Sequence, residues 1–272
     1  MLGEEIHLSE HEEAMNGGNI NKVVRVGETV RREAKPNPFV HELLEHLEKM
    51  QFTYSPRYLG QDDQGREILS YLEGDAPGNK YPEIEEYMWS DEVLISLGKL
   101  LRIYHDATVG FKPSQPSINN YPDESLHEVI CHNDAALYNI VFNNKLPAGI
   151  IDFDMAGPGP RLWDIAYTLY TSVPLAEFSP DHHNRAIVSY DRERHASERK
   201  RRIGLFFSSY GMEVPADLKD WVITRIKFMC TTLSDRAEAG DSAFIKLVED
   251  GHLAHYEKEI IFLEKHFDDW RK

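Results

Sequence analysis

His132, Asp134 and Asn139 stand at positions i, i+2 and i+7, and Asp152 follows 13 residues after the asparagine. All four lie in the stretch CHNDAALYNIVFNNKLPAGIIDFDMAG, residues 131–157, which otherwise reads as core. An ionised carboxylate in apolar surroundings is costly unless a cation or hydrogen-bond donors meet it. Asp134, Asp152 and Asp154 therefore need partners, and a metal ion is one candidate. Oxygen donors from aspartate and asparagine suit a hard divalent cation such as Mg²⁺, which keeps an octahedral and partly hydrated shell.

The spacing is that of H-x-D-x-x-x-x-N followed by D-F-x, the arrangement of kinase-type phosphoryl transfer. In that arrangement a loop presents Asp134 to an attacking hydroxyl and Asn139 closes the loop as a strand begins. A short hairpin then brings Asp152 back beside Asn139: Ile140 to Phe142, a polar NNKLP turn, and Ala148 to Ile151. The competing reading has His132 packed internally and the acids capping turns; it explains each residue singly but not their joint spacing.

Such residues need a sizeable scaffold. The chain has 272 residues, 41% of them hydrophobic, with 12 Phe, 13 Tyr and 4 Trp, which favours a packed globule of one large domain or two lobes sharing a cleft. Its formal charge of -16 disfavours nucleic acid and anionic membrane as partners and favours cations. Two cysteines, Cys131 and Cys230, lack the paired spacing of a disulfide framework or zinc site, which fits a reducing compartment. The opening MLGEEIHLSEHEEAM carries acids where a secretory signal would be basic, and no apolar run approaches the length of a membrane span. A cytoplasmic protein is expected.

Residues 17–32 read as a β-hairpin with a Gly-Glu turn, and 39–50 as a helix with Val40, Leu43, Leu44 and Leu47 on one face. Strands return in 57–74 around an Asp-Asp-Gln-Gly turn, so the first 75 residues form a small sheet carrying one helix. After a Gly/Pro-rich connector at 74–82 the pattern becomes helical, with Leu94, Leu97, Leu101 and Tyr104 on one stripe. From about 160 onward helices dominate, with stripes of Val222, Ile226, Met229 and Leu233, and of Leu253, Tyr256, Ile260, Leu263 and Phe267. The basic run RERHASERKRR at 192–202 reads as a solvated helix face.

ICHNDAALYNIVF followed by GIIDFDMAGPGPRLWDIAY resembles the aminoglycoside phosphotransferase and choline kinase-like group, and the resemblance runs from GGNINKVVRV through LLRIYHDA to about residue 170. It implies an α+β, protein kinase-like, two-lobed fold. The small β-rich N-terminal lobe would span 1–73 with a hinge at 68–73, and the larger, mainly helical C-terminal lobe 74–272. By the same resemblance Asp134 is the catalytic carboxylate, His132 braces its loop, Asn139 and Asp152 ligate Mg²⁺, and Asp154 is a second metal contact. Asp154 stands where protein kinases have Gly, an ordinary difference within the small-molecule group. Asp164, in RLWDIAY, is expected to cap free N–H groups where its helix starts. The glycine hairpin that covers the phosphates corresponds to Gly17, Gly18 and Asn19, and the hinge backbone that meets the purine to Ser70, Tyr71 and Leu72. The lysine expected on the next strand is missing. Arg31 and Arg32 stand there, and alternation lets only one point inward, for which Arg32 is preferred. The acid that orients this cation is expected on the helix at 39–50, where the register gives Val40 or His41 with Glu42 one residue on, so the usual pair is not in place. The implied activity is transfer of phosphate from ATP, with GTP possible, to a hydroxyl of a small, cationic acceptor. The competing readings are a nucleotide-binding regulator without turnover, and a metal-dependent hydrolase built on His132, Asp134, Asp152 and Asp154.

Overall fold

The computed structural model describes residues 12–15, 23–33, 37–181 and 186–271. Strands β1 (Glu13–Ala14), β2 (Val23–Val26) and β3 (Thr29–Arg32) precede helix α1 (Pro38–Lys49), and β4 (Tyr58–Gln61) and β5 (Glu67–Ser70) follow it. They form an antiparallel sheet in the order β1-β2-β3-β5-β4. The turn between β2 and β3 is the two-residue Gly27-Glu28 connection, and Gly27 adopts φ 58, a conformation that costs glycine little. The pairing of β3 with β5 sets Arg32 opposite Glu67. Asn37 caps α1 by accepting from Val40 N at 3.4 Å, with Pro38 in the first turn. The expected stripe of Val40, Leu43, Leu44 and Leu47 is buried.

Helix α2 (Asp91–Thr108) opens the helical part, capped by Ser90, with Asp91 and Glu92 in its first turn complementing the helix dipole. Its stripe of Val93, Leu94, Leu97, Leu101 and Tyr104 is almost wholly buried and shares one core with Phe39, Leu43 and Leu47 of α1. Truncating such a leucine to alanine costs about 2–5 kcal/mol, and this shared core ties α1 to the helical part. Strands β6 (Val129–Cys131), β7 (Ile140–Asn143), β8 (Leu146–Ile150) and β9 (Gly157–Gly159) then form two ribbons, β6 with β9 and β7 with β8. The turn between β7 and β8 is only Asn144-Lys145, at φ 51 and 65, so Leu146 and Pro147 of the expected NNKLP turn belong to β8.

These ribbons position the chemistry. Residues 132–139 run from the end of β6 to the start of β7, and residues 151–156 run from the end of β8 to the start of β9. Both loops are pinned at both ends to the same two ribbons and are held side by side.

Helices α3 (Arg161–Ser172), α4 (Arg192–Tyr210), α5 (Leu218–Glu238), α6 (Ser242–Glu249) and α7 (His252–His266) complete the helical part, with a hairpin of β10 (Phe178–Asp181) and β11 (Ala186–Ser189) between α3 and α4. The solvated basic face expected at 192–202 is corrected here: Arg199 and Arg202 are buried, Arg199 between aromatic rings and Arg202 against Asp91. No helix among the described residues is long and apolar enough to cross a membrane.

Candidate active site

The loop of residues 132–139 is built around its own histidine. His132 Nδ1 accepts from the Asp134 N–H at 3.3 Å, which leaves the proton on Nε2 to bond the Ile151 carbonyl at 3.1 Å. Burial pulls His132 down to about 4, so the ring is neutral and its two nitrogens keep distinct roles. One imidazole thus ties the two loops together, and the bracing role is the one its contacts fit.

Asp134 Oδ1 accepts from Tyr138 Oη at 2.5 Å, and Oδ2 accepts from Asn139 Nδ2 at 2.8 Å. Desolvation, reinforced by the charge of Asp152 and opposed by those two bonds, pushes Asp134 up to about 7, the range that suits a general base near neutral pH. Because Asn139 spends its amide nitrogen on Asp134, its amide oxygen is the donor it has left for a cation. Ile151 N bonds Asn139 O at 3.0 Å and sets Asp152 beside this loop.

Asp152 adopts φ 68, ψ 64, a left-handed conformation costing about 1–3 kcal/mol for a non-glycine residue, of a kind that clusters at functional sites. Desolvation and the like charge of Asp154 push it up to about 6, against the pull of Arg32. Phe153 between them is buried edge-on to the His132 ring, centroids 4.6 Å apart, and anchors the turn while its acidic neighbours face outward.

Arg32 reaches these acids from the sheet. Its Nη2 lies 2.8 Å and its Nη1 3.1 Å from the two Asp154 oxygens, and Nη1 is 3.4 Å from Asp152. Its Nε and Nη2 hold Glu67 Oε2 at 2.9 and 2.7 Å. Desolvation works against this guanidinium, but Asp154, Glu67 and Asp152 outweigh it and hold the proton firmly. Arg31 points elsewhere, bonding Thr29 Oγ1 at 2.5 Å and lying 3.9 Å from Asp62. The orienting acid expected on α1 is therefore corrected to Glu67 on β5. Helix α1 contributes His41, whose Nε2 lies 2.5 Å from Glu67 Oε1, while Val40 is in the core and Glu42 bonds Ser114. Glu67 was legible in principle: an acid inside the apolar run REILSYL poses the same question as Asp152.

Asp164 is also corrected. Its carboxylate does not cap its own helix but accepts from His132 N at 2.7 Å, Asn133 N at 2.9 Å and His105 Nε2 at 3.0 Å. Burial raises its pKa, yet these partners win and hold it below the ordinary carboxylate range. Arg225, which the motif does not include, secures the loop from α5 by donating to the Asn133 carbonyl at 2.6 Å.

Tyr71 lies under Arg25, its ring 3.9 Å from the guanidinium carbon, and Leu72 packs on Gly149 of β8. Asp75 exchanges backbone bonds of 2.9 and 2.8 Å with Phe142, so the segment leaving β5 at Ser70 is fastened to the β7–β8 ribbon. Gly17, Gly18 and Asn19 lie outside the described residues.

The donor set offered to a metal is Asn139, Asp152 and Asp154, all oxygen, which matches a hard divalent cation. Among the described residues no group of three or more His, Cys, Asp or Glu is placed to hold a metal ion.

Residues 111–197 match the model of the phosphotransferase enzyme family. A trifolitoxin immunity protein of Rhizobium leguminosarum bv. trifolii is 38% identical over 151 residues, 53% of this chain and 55% of that protein, so the match spans about half the relative's length. Among solved structures, amicoumacin kinase hAmiN in complex with AMP-PNP, Ca²⁺ and Ami is similar at TM-score 0.61, with 13% identity, over 93% of this chain and 88% of that one. The gentamicin-APH(2")-IIa complex follows at 0.59, with 14% identity, over 92% and 91%. A choline/ethanolamine kinase family protein from Mesorhizobium loti gives 0.56, with 15% identity, over 97% and 92%. The motif resemblance and the α+β, kinase-like fold are borne out.

Proposed function

We propose, from the match of residues 111–197 to the phosphotransferase enzyme family model and from the kinase-like fold, that this chain transfers the γ-phosphoryl group of ATP to a hydroxyl of a small molecule. The observation that carries the reading is Arg32, bonded at once to Glu67 in the sheet and to Asp154 beside Asp152. This pairing holds Arg32, the candidate phosphate-binding cation, against the candidate metal acids. The absent lysine-acid pair was the ground for a regulator without turnover, and Arg32 with Glu67 supplies a substitute.

In the proposed reaction the acceptor oxygen forms a bond to the γ-phosphorus as the bond to the β–γ bridging oxygen breaks, ADP leaves, and the acceptor's proton passes to Asp134. Mg²⁺, held by Asn139 and Asp152 with Asp154 available, would neutralise charge on the phosphates when bound. Arg32 exchanges its contacts with Asp152 and Asp154 for the nucleotide's phosphates and keeps Glu67 as its orienting partner. Tyr138 and Asn139 hold the Asp134 carboxylate in one orientation. Ser70, Tyr71 and Leu72 serve as the hinge that meets the purine, with the lobes dividing at about residue 73, and Gly17, Gly18 and Asn19 cover the phosphates. GTP is the alternative donor.

The acceptor is proposed to be cationic, in the cytoplasm, and of the antibiotic or amino-alcohol kind. Support comes from the net charge of -16; beside Asp134 the hydroxyls of Tyr138, Tyr167 and Tyr256 form a chain at 2.9 and 3.1 Å. An ADP-release screen over aminoglycosides, macrolides, amino alcohols and sugars, with and without Mg²⁺, tests it. Release that needs both Mg²⁺ and one acceptor supports the reading; phosphate release without an acceptor points to a hydrolase.

A further inference from the structure

Tyr138 lies in the helical turn Leu137–Asn139 that ends the catalytic loop, four residues after Asp134 and one before Asn139. Its hydroxyl donates to Asp134 Oδ1 at 2.5 Å while Asn139 Nδ2 donates to Oδ2 at 2.8 Å, so this turn grips both oxygens of the carboxylate. A tyrosine hydroxyl has one hydrogen to give and lone pairs to accept another. With the Tyr138 hydrogen committed to an ionised Asp134, the 2.9 Å bond between Tyr138 and Tyr167 must be donated by Tyr167. The Tyr167 hydrogen is then committed in turn, so the 3.1 Å bond between Tyr167 and Tyr256 is donated by Tyr256. Three hydroxyls, from the loop, from α3 and from α7, thus point in one direction and end on the carboxylate.

The line runs through packed surroundings. Tyr167 is 1% exposed, and the Arg225 guanidinium carbon lies 4.7 Å from the centre of its ring. The same Arg225 donates to the Asn133 carbonyl, one residue before Asp134, at 2.6 Å. Tyr81 meets the Tyr138 ring edge-on with centroids 5.6 Å apart, and its own hydroxyl donates to the Thr171 carbonyl at 2.9 Å. A hydroxyl that accepts a bond donates its own more strongly, by about 10–30% per bond in a chain.

We infer, resting on the phosphoryl-transfer reading, that Tyr167 and Tyr256 are positioning residues: acting through Tyr138, they fix and polarise the hydroxyl that orients the Asp134 carboxylate. Helix α7 is thereby joined to the transfer step, although it supplies no residue of the H-x-D-x-x-x-x-N motif.

Single-turnover transfer from ATP to the best acceptor, with Mg·ATP affinity measured by calorimetry, tests this on the full chain. Tyr138→Phe is expected to slow transfer at least about tenfold, the loss of a hydrogen bond to a charged group. Tyr167→Phe slows it about threefold and Tyr256→Phe about twofold, in the order of their distance along the chain of hydroxyls. Mg·ATP affinity stays within about twofold of wild type in all three, whereas general loosening of the loop that carries Asn139 would weaken it as well. In the double variant Tyr138→Phe/Tyr167→Phe the second change adds less than about 1.5-fold, because the bond that conveys it is gone. Tyr170→Phe is the control: the Tyr170 hydroxyl lies 3.4 Å from His255 Nε2, and its loss leaves transfer at the wild-type rate. Tyr256 is half-buried, so Tyr256→Phe decides the matter if Tyr167→Phe does not fold. Unchanged transfer in Tyr256→Phe, additive effects in the double variant, or an equal loss in Tyr170→Phe overturns the inference and leaves the phosphoryl-transfer reading standing. If wild type transfers to no acceptor, that reading fails instead, and the NMR resonance of isotope-labelled Tyr138 Cζ decides the chain: a shift on Tyr256→Phe upholds it, and an unmoved resonance overturns it.

Discussion

Replacing Asp164 by alanine removes the acceptor shared by His132 N, Asn133 N and His105 Nε2, at 2.7, 2.9 and 3.0 Å, in a fully buried position. Hydrogen bonds to charged groups contribute about 1.5–3 kcal/mol each, but three on one carboxylate do not add independently. Removing one partner of a buried ionic cluster costs about 3–5 kcal/mol, and we take that as the magnitude. Against a total stability of about 5–15 kcal/mol this is severe, and it corresponds to a fall in Tm on the order of 10 °C for a chain of this size. The folded carboxyl lies below its ordinary value, so its contribution is present above about pH 4, the unfolded pKa, and is lost as pH falls through the folded one. The gap between wild type and Asp164→Ala is therefore constant from about pH 5 to 8 and narrows below about pH 4. Urea unfolding across that range checks both the size and the sign. Asp164→Asn keeps the volume but turns an NH₂ toward donors, and it is expected to be destabilised and slow. A difference under about 1 kcal/mol for the alanine variant, or wild-type turnover in Asp164→Asn, refutes the reasoning that this carboxylate holds the catalytic loop in place.

Arg32→Ala is expected to raise the KM for ATP severalfold or more, while Arg31→Ala leaves that KM near wild type because Arg31 faces Thr29 and Asp62 and not these acids; equal effects from both contradict the assignment. Glu259 is buried, and desolvation holds it up at about 7, so its ionisation weakens the fold as pH rises from about 4 to 7, by about 3 kcal/mol at most. Glu259→Gln should match wild type in Tm near pH 4 and exceed it at pH 8. Gly74→Ala forces a side chain at φ 141 onto the Phe142 carbonyl and should cost about 2 kcal/mol or more in urea unfolding, since the bridge between Asp75 and Phe142 must shift.

The helices with strong apolar stripes, α1 and α2 above all, were legible because burial alone dictates their period. That the loop of Asp134 and Asn139 lies beside the turn of Asp152 was legible from their spacing along the chain, and His132 and Ile151 tie the two together. What was not legible depends on proximity across the chain. Glu67 meets Arg32 through the register of β3 on β5, over 35 residues of separation, and the sequence around either one gives no register. Asp164 bonds a loop 31 and 32 residues earlier, which helix-capping rules do not anticipate. Arg199 and Arg202 looked solvated because a run of charges usually is; aromatic rings of Tyr190 and Trp270, far apart in sequence, close over Arg199 instead.

In the proposed reaction Asp134 serves transfer and not nucleotide binding. Single-turnover transfer of the labelled γ-phosphoryl group of ATP to the best acceptor, with Mg·ATP affinity measured by calorimetry on the same preparations, tests it most directly. Asp134→Asn is expected to bind Mg·ATP nearly as wild type does yet to transfer at least about a hundredfold more slowly, the contribution of a general base. Transfer within about tenfold of wild type, one 1.4 kcal/mol step in the barrier, would contradict it.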